Sequence, residues 1–175
     1  MKRAVEGEAA AGLSKLQQQA VDMIMGGISE AFDLSKEDPR TLARYDTAHL
    51  VNPNSISRSW NNHKNYRDHG QSLGRLMLMA RRLAERGAGF ITVTTDFVWD
   101  MHADSNNATM TEGMGYVGTP FDHAVSAFIE AVEARGFRDK ILLVCCVEMG
   151  RTPQVTPNGR STHWARPPPF SLSSG

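Results

Sequence analysis

The sequence is poor in the features that mark several common classes of protein. It has two cysteines in 175 residues, Cys145 and Cys146, and their adjacency within an apolar run suits two core side chains better than a disulfide framework or a zinc knuckle. Lysine plus arginine and aspartate plus glutamate are equal at 19 each, so no excess of charge attracts nucleic acid or an anionic membrane. No apolar run approaches the roughly 18 residues that cross a bilayer, and residues 1–12 contain no apolar segment of an export signal. We therefore predict no nucleic-acid partner and no membrane span.

The length of the chain suits one domain, which we predict over residues 1–164. Apolar residues recur at helical spacing within residues 8–32, which predicts a first helix there. Asp38 followed by Pro39 is typical of an N-cap and a first helical position, so a short helix should begin here and reach about Tyr45.

Residues 46–68 are polar, rich in Asn, Ser and His, and without sustained periodicity, so we predict a loop or an insertion. After them an apolar helix face runs from Leu73 to Ala84 and stops at Gly87. Residues 90–94, which alternate apolar side chains with threonine, follow this helix as a predicted strand.

The same unit then occurs a second time. Thr119 and Pro120 predict the start of a helix, and Gly136 predicts its end. Residues 141–147 form a near-continuous apolar run, typical of a strand that is covered on both faces in a parallel sheet. A helix, a glycine and a buried strand, twice in succession, predict an α/β fold in which a mostly parallel sheet is flanked by helices with right-handed crossovers.

Polar residues follow both predicted strands, at the edge where parallel sheets carry their chemistry. Asp100 and His102 are two apart, so in an extended segment they point the same way and present a carboxylate and an imidazole to one ion. The spacing alone favours a chance occurrence, because Asp-x-His is found in many loops. Glu148 can equally cap the next helix or pair with Arg151, and a lone histidine such as His163 is more often structural than a ligand.

Taken together and in order, five segments resemble the motifs of family 1501 of the bacterial domains of unknown function. They are AFDLSKE at 31–37, ARRL at 80–83, WDMH at 99–102, EMGRTP at 148–153, and the Gly-Arg and His-Trp pairs of 159–164. The resemblance spans roughly Gly12 to Trp164. That family is similar to the alkaline phosphatase and sulfatase superfamily, whose members hold one or two divalent metals and hydrolyse phosphate or sulfate esters. The resemblance therefore implies a partial alkaline-phosphatase-like layered fold.

The resemblance also implies a divalent-metal site and the residues that form it. Asp100, His102, Glu148 and His163 stand at the positions of metal ligands, and Arg151 stands where a catalytic group would stabilise the anion. The implied substrate is a small-molecule or glycan ester of phosphate or sulfate.

The sequence departs from the family pattern in several places. Met149 stands where phosphatase relatives place a histidine, and residues 161–162 replace the acid that precedes the histidine of the family motif. Nothing before Lys15 resembles the Gly-Gly and Asp-rich strand with which relatives begin. Residues 165–175 are rich in proline and serine, and we predict that they form a disordered tail that is foreign to the family.

Three interpretations of function remain open. The chain is expected to be a carboxy-terminal fragment of a metal-dependent phosphate or sulfate ester hydrolase, inactive by itself. A non-catalytic binding or scaffold protein is an alternative that Met149 favours, and a truncated gene product with no independent role is another. Intact relatives are often exported, although the residues present here contain no signal.

Overall fold

The computed structural model describes residues 15, 17–18, 20–21, 27–95, 99–101, 105–146 and 153–160. Within these ranges 58% of the residues are helical. The α-helices are α1 (Pro39–Tyr45), α2 (His63–Glu85) and α3 (Met110–Ala134), and short 3-10 helices occupy Ile28–Phe32, Leu34–Lys36, Ala48–Leu50 and Pro53–Ser55. Over the described ranges, no helix combines the length and the apolar character that a bilayer span requires.

The first half of the chain follows the prediction in part. Residues 15, 17–18 and 20–21 are helical, but Gly27 has a φ of 74° and the chain continues as the 3-10 helix Ile28–Phe32. The helix predicted after Asp38 is confirmed: the Asp38 carboxylate accepts a hydrogen bond from the amide of Arg40 at 3.3 Å, and α1 ends at Tyr45. The capping residues Asp38 and Pro39 were therefore sufficient to predict the start of α1.

Residues 46–68 are not the loop that their polarity predicts. Two short 3-10 helices lie within them, and α2 begins at His63, ten residues before the predicted helix face at Leu73. Tyr66 and His69 continue the helical spacing of Leu73 toward the amino terminus, and both side chains are buried. The polar character of residues 63–72 concealed these first turns of the helix, nearly three in number at about 3.6 residues per turn.

The predicted start of the second long helix at Thr119 and Pro120 is also wrong. α3 begins at Met110, and its N-cap is Thr109, whose hydroxyl accepts from the amide of Glu112 at 3.3 Å and donates to the Glu112 carboxylate at 2.7 Å. Thr109 and Glu112 stand at the two positions of a capping box, and here the Glu112 carboxylate pairs with the Thr109 hydroxyl. Pro120 lies inside the helix.

α2 and α3 run side by side in the same direction. His69 Nε2 lies 3.1 Å from the carbonyl oxygen of Val117, and Glu85 Oε1 lies 3.3 Å from Nε of Arg135, just beyond the end of α3. The apolar side chains between them form the main core, with Leu73, Met77, Leu78 and Ala80 from α2 and Ala124, Ala127, Phe128 and Val132 from α3. Both helices end shortly before a glycine with positive φ, as predicted from Gly87 and Gly136.

The predicted parallel sheet is wrong for the residues that the structure describes, because no strand occurs among them. The two predicted strands instead place alternate side chains on the helical core: Ile91 and Val93 from the first, and Ile141 and Leu143 from the second. Both segments were predicted as strands of a sheet, and each instead rests one face on the helices. A sheet requires in addition a neighbouring chain about 4.8 Å away with matched amides, and alternation alone does not establish one.

The second predicted strand also differs from the expected two-sided burial. Leu142 is 71% exposed and Val144 is 53% exposed, so the run is covered on one face only. Cys145 and Cys146 are exposed free thiols, which contradicts their prediction as core side chains. Hydropathy alone does not distinguish a strand that is covered on both faces from an extended segment that packs one face against helices.

A network of buried charges fastens the segment before α1 to the end of α2. Oε2 of Glu37 accepts from Arg81 at 2.5 Å and from Arg82 at 2.8 Å, and Glu85 joins Arg81 to Arg135. We call these five residues the charge clamp. The guanidinium of Arg82 also donates to backbone carbonyls of the 3-10 segment, those of Glu30, Ala31 and Asp33. The motifs at 31–37 and 80–83 are therefore contact partners.

Candidate functional site

Of the five predicted site residues, the structure describes Asp100. His102, Glu148, Arg151 and His163 lie outside the described residues. The chain before two of them is described in part: residues 99–101 adjoin His102, and residues 158–160 end three positions before His163. We call residues 99–101 the Asp100 loop.

The side chain of Met101 packs the Asp100 loop against α3. Its side chain is 2% exposed and packs in a second apolar cluster with Trp60, Tyr66 and Val117. It also fills the space beside Gly113 in the first turn of α3, where a Cβ would overlap the Met101 sulfur. The Asp100 loop can therefore approach α3 this closely only because residue 113 is a glycine.

Trp99 holds the other side of the loop. Its ring stands edge-on to His69 of α2, with centroids 5.8 Å apart and an angle of 90° between the planes. It meets Phe121 of α3 in the same manner, at 5.4 Å and 87°. Such perpendicular ring pairs are favoured over stacked sandwiches, so both long helices contribute to the position of Trp99.

Residues 158–160 dock on the start of α3. The amide of Met110 donates to the Gly159 carbonyl at 2.7 Å, and Nη2 of Arg160 donates to the Asn107 carbonyl at 2.8 Å. Arg160 is 9% exposed, so its charge is largely withdrawn from water and is stabilised by carbonyl oxygens. The Gly-Arg pair and the Asp100 loop are thus both fastened to the first turn of the same helix.

Tyr66 lies between these two segments. It is fully buried, and burial raises the pKa of its phenol, while hydrogen bonds with Asn62 and with the backbone of Ala108 lower it. The charge of Asp100 adds to the rise and the charge of Arg160 opposes it. Asn62 donates to the phenolic oxygen at 3.5 Å. A carboxylate, a phenol and a guanidinium are therefore within electrostatic reach of one another. The prediction of a loop at 46–68 concealed Tyr66, although its helical spacing with Leu73 could have revealed it.

Within the described residues, no group of three or more His, Cys, Asp and Glu side chains is arranged to hold a metal ion. The described part of the chain supplies Asp100, one oxygen ligand of the predicted set. The observed arrangement can hold the backbone of Asp100 in a fixed place near the buried phenol of Tyr66.

The fold and the site define a domain of two parallel long helices that present an Asp-bearing loop at the start of the second helix. Residues 1–166 match the family described as Protein of unknown function (DUF1501), and the chain belongs to this family. Neither the curated proteins nor the solved structures contain a match to the chain.

Proposed function

We propose that the chain contributes the Asp100 part of a divalent-metal site in a phosphate or sulfate ester hydrolase related to the alkaline phosphatases and sulfatases. One observation carries the proposal. The Asp100 loop and residues 158–160, which lead directly into His102 and toward His163, are both fastened to the first turn of α3. Two sequence motifs that are about 60 residues apart therefore begin from one place, as a shared site requires.

The chemistry of the proposed ligands fits a divalent ion. Asp100 and Glu148 offer carboxylate oxygens, and His102 and His163 offer imidazole nitrogens, a mixed set that zinc and manganese accept. When bound, such an ion would polarise the ester oxygen and lower the pKa of a bound water. Arg151 would neutralise the anionic ester, because a guanidinium matches phosphate and sulfate oxygens in pairs.

The described residues have a supporting role in this proposal. Met101 and Trp99 fix the backbone on both sides of Asp100, so its carboxylate does not have to be ordered when an ion binds. The buried phenol of Tyr66 lies within electrostatic range of both Asp100 and Arg160. Preorganised polar groups of this kind are what a catalytic metal site needs around its ligands.

A non-catalytic binding role is the second candidate, and Met149 favours it. A thioether is a poor ligand for a hard ion, and it stands where phosphatase relatives place a histidine. The family fold and the ion would then be retained without turnover. Hydrolysis of a generic aryl phosphate or aryl sulfate separates the two candidates, because only the first releases the phenol.

Calorimetry with zinc, manganese and calcium tests the site itself. We expect the chain to bind weakly, with a Kd above about a micromolar, because Met149 removes one expected ligand. Asp100→Asn should abolish the binding, whereas Asp122→Asn, on the exposed surface of α3, should leave it unchanged. Equal binding by the wild type and by Asp100→Asn, with both folded by circular dichroism, would contradict the proposal.

A further inference from the structure

His69 ties together three parts of the chain at one buried point. Its side chain is 1% exposed, and both ring nitrogens are engaged: Nε2 lies 3.1 Å from the Val117 carbonyl oxygen, and Nδ1 lies 2.9 Å from the Thr95 hydroxyl. A carbonyl oxygen can only accept, so Nε2 carries the proton and Nδ1 accepts from Thr95. The imidazole is therefore held in a single tautomer and a single plane.

The acceptor on α3 lies three residues before a proline. Pro120 has no amide hydrogen, so it cannot donate to the Tyr116 carbonyl, and the preceding turn of the helix loses a backbone bond. Val117 lies in that same turn, and its carbonyl accepts from His69 across the helix interface. Pro120, which the sequence predicted at the start of a helix, thus lies close to the point where His69 bonds α2 to α3.

The same imidazole acts on both ends of the segment that leads into Asp100. Thr95 is bonded to Nδ1, and Trp99 stands perpendicular to the ring on the other side of the segment. Asp100 is the next residue in the chain. A side chain that contacts both Thr95 and Trp99 restricts the direction in which the chain leaves Trp99.

We propose that His69 is a positioning residue for Asp100: through Thr95 and Trp99 it sets the direction in which the Asp100 carboxylate is presented to the ion. The inference rests on the proposed function, in which Asp100 is a metal ligand. His69 itself contacts neither the ion nor the substrate. Partners that orient a ligand in this way typically change metal affinity by about 10- to 100-fold when they are removed.

Substitutions at Thr95 test this inference without disturbing the core. Thr95→Val removes the hydroxyl at nearly constant volume, and Thr95→Ser keeps it. Thr94→Val is the matched control, because Thr94 is the exposed neighbour in the same segment. Titrations of the full chain with Mn²⁺, followed by water proton relaxation, should show affinity that is roughly tenfold weaker in Thr95→Val. Thr95→Ser should restore wild-type affinity, and Thr94→Val should not change it.

Nuclear magnetic resonance without metal provides the second, independent measurement. The indole resonance of Trp99, assigned by its loss in Trp99→Phe, should shift in Thr95→Val and return in Thr95→Ser. Nitrogen shifts of His69 should show the proton on Nε2. A proton on Nδ1, or an indole that is unmoved by Thr95→Val, would overturn the positioning role.

The two measurements separate the failure of this inference from the failure of the proposed function. If Mn²⁺ binding is the same in Asp100→Asn as in the wild type, the metal site is wrong, and the role of His69 toward an ion is wrong with it. If Asp100→Asn abolishes binding while Thr95→Val binds as the wild type does, the metal site stands and the positioning role is overturned. The expected pattern is a loss in Asp100→Asn and in Thr95→Val, with recovery in Thr95→Ser.

Discussion

The charge clamp and the surroundings of the Asp100 loop both hold a segment against α2, but they do so with different partners. In the charge clamp the buried arginines Arg81 and Arg82 meet the carboxylate of Glu37. Around the Asp100 loop the buried groups His69 and Arg160 meet neutral carbonyls and a hydroxyl. Opposite charges in the clamp compensate one another, whereas neutral partners leave the field of a nearby charge in place.

This difference separates two kinds of family motif. The motifs at 31–37 and 80–83 contact each other through the charge clamp, so their residues are explained by the architecture of the domain. The segments around Asp100 and Gly159 both contact the start of α3. The charge clamp therefore joins the first pair of motifs directly, whereas the second pair meets at the first turn of a helix.

Removal of the central carboxylate of the charge clamp should have the largest effect. Glu37→Gln leaves Arg81 and Arg82 buried without their shared counter-charge, and we expect it to lower the free energy of unfolding by about 3–5 kcal/mol. Urea denaturation followed by circular dichroism measures the loss. Glu130→Gln is the control, since it removes the exposed Arg44 pair and should leave the midpoint nearly unchanged. Similar midpoints for both variants would contradict the distinction between the two regions.

The pH dependence of stability should follow the same carboxylate. Burial raises the pKa of Glu37, but the hydrogen bonds and charges of Arg82 and Arg81 outweigh it and hold that pKa below its ordinary value of 4.5. A lowered pKa in the folded state means that the stabilisation is complete above pH 4.5 and is lost as the pH falls through the folded value. Urea midpoints measured from pH 7 downward should therefore converge for the wild type and Glu37→Gln at acid pH. A constant difference would show that Glu37 is not the titrating group.

Gly113→Ala should disturb the Asp100 loop selectively. The new methyl group overlaps the sulfur of Met101, and we expect a loss of about 1–3 kcal/mol despite the better helix propensity of alanine. Gly115→Ala is the matched control two residues away, where a Cβ meets open space and should stabilise the helix by up to about 1 kcal/mol. Thermal unfolding compares the two. Met101→Ala in the Gly113→Ala background should relieve the overlap, and no coupling between the two sites would exclude their contact.

The smallest expected effect concerns the capping box of α3. Thr109→Ala removes the hydroxyl that bonds to the amide and the carboxylate of Glu112, and should cost about 1 kcal/mol. Thr111→Ala, at an exposed position of the same turn, should cost little. Amide exchange of the first turn should accelerate in the first variant alone. Equal exchange in both would place the start of the helix elsewhere.

Local chemistry was enough to predict part of the fold. Asp38 and Pro39 were correctly interpreted because an N-cap and a first-position proline act within a few residues. Pro120 misled because proline is common at helix starts, and the capping box at Thr109 was hidden by the glycines that follow it. Glycine is needed at position 113 because the side chain of Met101 packs against it. Met101 lies on another segment, so spacing within the helix could not reveal this contact.

The site residues stay predictions: the resemblance to the family implied Asp100, His102, Glu148, Arg151 and His163, and the structure describes Asp100 alone of these. Nothing in the sequence indicated that Trp99 would meet His69 or that Met101 would meet Gly113. Contacts of this kind depend on how α2 and α3 dock. The tail predicted at 165–175 lies outside the described residues and stays a prediction.

The bond between Arg160 and the Asn107 carbonyl has a consequence for the order of assembly during synthesis. It joins residues 53 positions apart, and the contacts of His69 span 26 and 48 positions. Closing such loops costs entropy before the contact is gained, so the bond between Arg160 and Asn107 is favoured once α3 has formed between them. On a ribosome, which releases the amino-terminal part first, the helices can pair while residues 158–160 are still in the exit tunnel. The surroundings of Asp100 would then be completed last, and a nascent chain would pass through a stage with a docked core and an unfinished site.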